Sequence, residues 1–277
     1  MTEPDTVARA LDASNAWNAL GSVIEDAPLA RFVRSDRFAG VPSANRVSHI
    51  RASSPRAIDQ VLGEVGRAFP AGAAITFDVD HRTPPPFEAR LALEGYRRRD
   101  SLLMLLEGPL RADASSCDIR PVADGATWRD WEELSIADNL GYPVRAGVAA
   151  DHDDAAALTA IRRAKCPPVR YLLAYADGAP AGFFSAWEGI DGIGVTENLS
   201  VHEPFRRHGI ATGLMRRCVE DARARGAGPI ALTCNPDDWP KTWYARLGFK
   251  PIGMARIYAR ELPAPPTSNI EPPTSPA

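Results

Sequence analysis

Arg206, Gly209 and Ala211 stand in the pattern R-x-x-G-x-A, between the apolar stretch NLSV ending at Val201 and an amphipathic stretch from Gly209 to Ala224. A helix beginning at Gly209 leaves its first amides without intrahelical partners and presents the positive end of its dipole to the turn. Phosphate oxygens bind such an end when the backbone can be approached closely. Gly209 removes a side chain from the turn and Ala211 is the next smallest choice. Arg206 can add a charge-assisted contact from the flank. Arg206, Arg207, His208, Gly209, Ile210, Ala211 and Thr212 are therefore a candidate diphosphate turn.

The surrounding chain supplies elements to hold that turn. CDIRPV, from Cys117, reads as a strand. TWRDWEELSIADNL spaces Trp128, Trp131, Leu134 and Ile136 as a helix does. Asp151 to Lys165 reads as a second helix, acidic at its start and basic in its last turn. VRYLLAYADGAPAGFFSAWEG reads as two strands joined at Asp177-Gly178, a hairpin signal. IGVTENLSV is a further strand and Gly209 to Ala224 a helix stopped by Gly226. PIALTC is a strand, Lys241 to Leu247 a short helix stopped by Gly248, and a last strand lies near Gly253 to Arg260. This order predicts an α/β protein with a mixed sheet and helices on its faces.

With those elements placed, the turn resembles the acyl-CoA diphosphate loop of the GCN5-related N-acetyltransferase (GNAT) superfamily. WYARLGF downstream is similar to that superfamily's final helix motif, tyrosine–x–x–x–glycine–aromatic, and YLLAYADGAPAGFFSAW upstream resembles its second and third strands. The likeness covers roughly residues 117–261. The chain departs from the common pattern at Arg207, where glycine is usual, at Ala211, and at Asp237, where asparagine is frequent; Asn235 lies two residues earlier. The resemblance implies a GNAT fold with acetyl-CoA as cosubstrate. It implies that the backbone of Leu199, Ser200 and Val201 holds the pantetheine arm, that Arg206 to Thr212 wrap the diphosphate, and that Asn235 is a further cofactor contact. Tyr244 would be general acid to the departing thiolate, a role that suits a phenol with an ordinary pKa of about 10. Glu197, whose strand parity places it with Leu199 and Val201, would accept the amine's proton. Glu197 reads equally well as a structural carboxylate; for Tyr244 the weaker alternative is packing beside Phe249.

The implied activity is transfer of an acetyl group from acetyl-CoA to a primary amine of a small molecule or peptide by direct attack. The alternative is a catalytically silent acyl-CoA-binding or interaction module; a third reading is a structural tandem protein without nucleotide. The acceptor pocket is expected from residues 128–165, where Asp138, Asn139 and Tyr142 could touch an amine, together with the N-terminal half.

Composition narrows the partners. The chain has 277 residues, a net charge of −3, and 24% charged and 45% hydrophobic residues. That balance gives no general attraction to nucleic acid or anionic membrane, so any anion site is local. No window approaches the roughly 18 apolar residues of a membrane span, and MTEPDTVARALDAS has no apolar signal region. Cys117, Cys166, Cys218 and Cys234 show no C-x-x-C or zinc-ligand spacing. DHDD, residues 151–154, reads as a helix cap rather than a metal site. A cytoplasmic protein without a metal is expected, with a homodimer allowed.

The chain also matches itself. Gly95-Tyr96 and Gly248-Phe249 close similar stretches 153 residues apart, and at that offset AIDQVLGEVGRAF falls on the helix after Gly209. The expectation is a degenerate GNAT-like domain over residues 1–110, a catalytic GNAT domain over 117–261 and a disordered proline-rich tail over 262–277. At the offset Ser53, Arg56 and Ile58 replace Arg206, Gly209 and Ala211, and Leu91 replaces Tyr244. The N-terminal copy is therefore expected not to bind the cofactor, with Arg56 and Ile58 obstructing the turn. Arg97 to Arg99 reads as a solvated face, and HRTPPPF as a turn into a helix.

Overall fold

The computed structural model describes residues 4–112, 117–145 and 151–260. The expected tail and the side chain of Tyr142 lie outside the described residues. In chain order the N-terminal half contains α1 (Pro4–Ala19), β1 (Val23–Asp26), β2 (Arg31–Arg34), β3 (Arg46–Ser48), α2 (Pro55–Ala68), β4 (Thr76–Val79), α3 (Pro85–Leu93) and β5 (Arg97–Leu106). The C-terminal half contains β6 (Asp118–Pro121), α4 (Gly125–Arg145), α5 (His152–Ala164), β7 (Arg170–Ala176), β8 (Ala179–Ile190), β9 (Ile193–Val195), β10 (Ser200–Val201), α6 (Ile210–Ala224), β11 (Ile230–Cys234), α7 (Pro240–Arg246) and β12 (Lys250–Ala259).

The strands form one mixed sheet in the order β1-β2-β3-β4-β12-β5-β11-β9-β8-β7-β6, with β10 paired to β8. The centre is symmetric about the antiparallel β12–β5 pair. On one side β12 runs antiparallel to β4, which is parallel to β3. On the other β5 runs antiparallel to β11, which is parallel to β9. Each half thus lends its last strand to the other. The exchange accounts for the apolar run in β5. Leu102 to Leu106 are flanked on both edges, by β11 and β12, and covered on both faces. Leu103 and Leu105 enter one core while Met104 and Leu106 enter the other. A strand buried on both faces reads as continuous rather than alternating hydrophobicity.

One face of the sheet carries α6 and α7 over Met104 and Leu106, and α2 and α3 over Phe77 and Tyr258. The other face carries α1 and α4 over Leu103 and Leu105. Helix α1 is absent from the sequence reading, because its buried face is mostly alanine. It buries Ala10, Ala13 and Trp17 against strands of the C-terminal half as well as against β5 of its own.

The N-terminal half repeats part of the element order of the C-terminal half. Helix α2, β4, α3 and β5 follow one another as α6, β11, α7 and β12 do, and among the described residues there is no counterpart of the helix pair α4–α5. The expected offset holds for the last strands, which are ten residues each and begin at 97 and 250. It does not hold for the helix starts: α2 and α6 begin at 55 and 210, and α3 and α7 at 85 and 240, two residues further apart. The copies are thus not in one unbroken register.

Candidate functional site

Between β10 and α6 the chain makes one short 3-10 turn, Glu203–Phe205. Arg207 and Gly209 then take positive φ, 66° and 75°. That conformation is strained for residues with a side chain and easy for glycine, so backbone geometry as well as size selects Gly209. A Cβ at Gly209 would meet no protein atom within 4 Å. The first backbone bond of α6 runs from the Gly213 N–H to the Gly209 carbonyl, and no side chain caps the helix. The amides of residues 210–212 therefore precede the first intrahelical bond. Ile210 is buried and anchors the helix, Ala211 and Thr212 are half-buried, and Arg207, His208 and Gly209 are exposed. Arg206 Nε donates to the Val201 carbonyl at 3.2 Å, which ties the flank of the turn to the end of β10. A bare backbone, a dipole end and an adjacent guanidinium fit a diphosphate.

Upstream, β9 and β11 pair at Gly194–Ile230 and Val195–Ala231 and then part. Glu197 fills the split. Its Oε1 accepts from the Thr233 N–H at 2.9 Å and from Thr233 Oγ1 at 2.7 Å, satisfying an amide that the parting strands would orphan. Asn198, at φ 67°, breaks the strand, and its Oδ1 accepts from the Tyr171 hydroxyl at 3.1 Å. The break reverses the strand's parity: Val195 faces the core under α1 and α4, whereas Leu199 and Val201 face that under α6. The expected common face of Glu197, Leu199 and Val201 is therefore not formed. Burial raises the Glu197 carboxyl to about 7, against the downward pull of the Thr233 bonds and of Lys165.

A cavity of about 510 Å³ opens at this split, and Glu197, Leu199, Asn235 and Tyr244 line it. The structure thus brings together the two residues expected to move protons. Tyr244 is buried, at 8% exposure, with its ring 5.9 Å from that of Phe249, so it serves the core as well as the cavity. Asn235 Oδ1 accepts from the Asp237 N–H at 2.9 Å and closes the turn before α7. Ser200 and Val201 are buried outside the cavity, and the turn from Arg206 to Thr212 also lies outside it. Ser200 Oγ donates to Asp138 Oδ1 at 3.0 Å, and Arg162 Nη1 donates to Asp138 Oδ2 at 3.2 Å. Asn139 Nδ2 donates to the Ala155 carbonyl and to Thr159 Oγ1. Of the two expected near the amine, Asn139 lines the cavity while its amide ties α4 to α5, and Asp138 joins α4, α5 and β10 from outside the lining. Asp151 Oδ1 accepts from the Asp153 and Asp154 amides and caps α5.

The far wall of the cavity comes from the N-terminal half, as expected, but its residues were not singled out in the sequence. Asp78, Ile257 and Arg99 fall on one rung across β4, β12 and β5, and all three line it. Arg99 is half-buried there, not on the solvated face expected for Arg97 to Arg99; strand alternation could have separated it from Arg98. Arg46 grips Asp78 through Nε at 2.8 Å and through a second bond from Nη2. Lys165, which ends α5, is also on the wall. Its Nζ donates to the Trp17 and Asn18 carbonyls at 2.8 and 3.0 Å, capping the C-terminus of α1. Burial first, and Arg46 second, lower this ammonium to about 7.

Three comparisons bear on this arrangement. Residues 128–249 match the model of the Acetyltransferase (GNAT) family. No curated protein matches the chain. Among solved structures, a GCN5-related N-acetyltransferase from Kribbella flavida is 17% identical, with a TM-score of 0.66 over 91% of this chain and 95% of its own. A GNAT-family acetyltransferase structure from Novosphingobium aromaticivorans is 17% identical, with a TM-score of 0.55 over 90% of this chain and 97% of its own. A tandem GNAT protein from the clavulanic acid biosynthesis pathway is 16% identical, with a TM-score of 0.52 over 86% of this chain and 79% of its own. At these identities the likeness is one of fold, and it extends over both halves of the chain.

Proposed function

We propose, on the match of residues 128–249 to the GNAT acetyltransferase family model, that the protein transfers an acetyl group from acetyl-CoA to a primary amine by direct attack. One observation carries the reading. The split between β10 and β11 joins an uncapped helix start on one side to a cavity holding both Glu197 and Tyr244 on the other. The amides of residues 210–212 and the Arg206 guanidinium would hold the diphosphate, and the backbone of β10 the arm that follows it. Acetyl-CoA, when bound, supplies the activated acetyl group.

The chain's own residues do the rest. Glu197 Oε1 is fixed by Thr233, which leaves Oε2 to receive the amine's proton. A carboxyl at about 7 is a base matched to neutral pH. Tyr244 stands in the same cavity to protonate the departing thiolate. Holding thioester and amine together supplies much of the acceleration, without a covalent enzyme intermediate. The same Thr233 bonds favour a second reading, a silent acyl-CoA-binding module in which Glu197 only closes the strand split.

The test is thiol release from acetyl-CoA by the full chain across a panel of primary amines, with binding of acetyl-CoA measured in parallel by calorimetry. Release with an acceptor supports the enzyme. Binding without release for any amine supports the silent module, and no binding removes both.

A further inference from the structure

The cavity is polar in two different ways at its two ends. At the β10–β11 end stand Glu197 and Asp238; both push up the thiol of Cys234, which burial has already raised to about 12. Away from it, on β3 and β5, stand Arg46 and Arg99, with Lys165 in electrostatic reach of both Arg46 and Glu197. Arg46 is close enough to Arg99 and Lys165 to disfavour their charged forms after burial has done so. The acids of that wall are each paired: Arg46, in the wall, holds Asp78, while Arg82 and Arg98, from outside the lining, hold Asp80 and Asp100, each at 2.6 Å. Lys165 spends two of its three donors on carbonyls and Arg46 two of its five on Asp78, so each keeps donors for another acceptor.

We propose that the acceptor is a small amine that also carries a carboxylate, its amino group at Glu197 and its carboxylate at the Arg46–Arg99–Lys165 wall. This inference rests on the acetyltransferase reading and names its substrate class. The reaction balances simply. The amine nitrogen forms a bond to the acetyl carbon, the carbon–sulfur bond breaks, one proton leaves nitrogen, and one proton reaches the thiolate. The N-terminal half then contributes recognition rather than a second catalytic site, because β3, β4 and β5 supply the wall that meets the carboxylate.

Matched acceptors test this in the full chain. Thiol release is followed with amino acids of increasing chain length, their carboxamides, their phosphonate analogues, and diamines. The carboxylates should exceed their carboxamides in kcat/KM by about 10- to 100-fold, the range of one or two charge-assisted hydrogen bonds. Arg99→Gln should bring that ratio toward one through KM, and Arg99→Lys should restore part of it. Diamines or carboxamides used as well as carboxylates, or a ratio that Arg99→Gln leaves intact, would overturn the proposal while leaving the acetyltransferase standing. Preference for phosphonates would overturn the carboxylate in favour of another anion. Absence of release with every acceptor sinks the parent reading and this one with it.

Discussion

Helices α2 and α6 occupy equivalent places in the two halves, each leading into a parallel-paired strand, yet their first turns are built in opposite ways. At α2 the cap is Ser54, in an extended conformation, and its hydroxyl accepts from the Ala57 amide at 3.3 Å; Pro55, at the next position, has no amide to offer. At α6 the cap is Gly209, left-handed and without a side-chain acceptor. One helix satisfies its own start and the other withholds the cap. An anion site therefore needs more than a helix dipole: the amides must be left for the ligand. One of the two expected obstructions falls away: Ile58 is buried in the core, while Arg56 is exposed in the first turn of α2. Ser54 and Pro55 occupy that helix start themselves. The helix ends diverge likewise: Leu91 in α3 is fully buried where α7 presents Tyr244 to the cavity.

The largest effect should come from restoring a side chain to the open turn. Gly209→Glu sets a bulky residue at φ 75° and an anion where a diphosphate would sit. Calorimetry should show acetyl-CoA binding weakened beyond about 100-fold, roughly 3 kcal/mol, while thermal unfolding remains cooperative. Near-normal affinity would separate this turn from the cofactor. Counting by native mass spectrometry sharpens the same contrast: the expected stoichiometry is one acetyl-CoA per chain, and two would give α2 a function that its cap denies.

Removal of the base comes next. Glu197→Gln keeps an acceptor for Thr233 and loses the proton site, so kcat should fall by roughly 10²- to 10³-fold. In the parent, Glu197 is protonated below about 7 and ionised above it, so kcat/KM should rise with pH through that value and then level. The variant should lack that rise. A parent profile flat from pH 6 to 8 would remove Glu197 from catalysis and leave it as the clasp of the strand split. Tyr244→Phe, which imitates the hydroxyl-free Leu91, should retain acetyl-CoA binding and slow transfer by roughly 100-fold. Unchanged turnover would leave only the packing role beside Phe249.

Much of the fold was legible because local chemistry decided it. Asp177-Gly178 makes its hairpin at positive φ, Asp151 caps α5, and Gly209 and Gly248 mark helix boundaries by conformations that glycine adopts cheaply. The open helix start at Gly209 was legible for the same reason. What escaped depends on distant chain. Pairing of β5 with β11 is a choice of partner that leaves no local mark. The parity break at Asn198 is one residue wide and depends on a hydroxyl from β7. Arg46, Asp78, Arg99 and Lys165 come from β3, β4, β5 and the end of α5, and only the exchanged sheet sets them around one cavity.

The smallest expected effect tests the other side of the comparison. Ser54→Ala removes the hydroxyl that caps the Ala57 amide and frees a donor at the start of α2. Loss of a serine cap costs about 1 kcal/mol, so the melting temperature should fall by roughly 2 °C in a chain this long. Acetyl-CoA stoichiometry should stay at one, because Pro55 still lacks an amide and the first turn still lacks a left-handed glycine. A second bound cofactor in Ser54→Ala would mean that one hydroxyl had kept the N-terminal half silent. An unchanged melting temperature would mean that solvent satisfies the amide as well as the serine does, and the two helix starts would then differ only at Gly209.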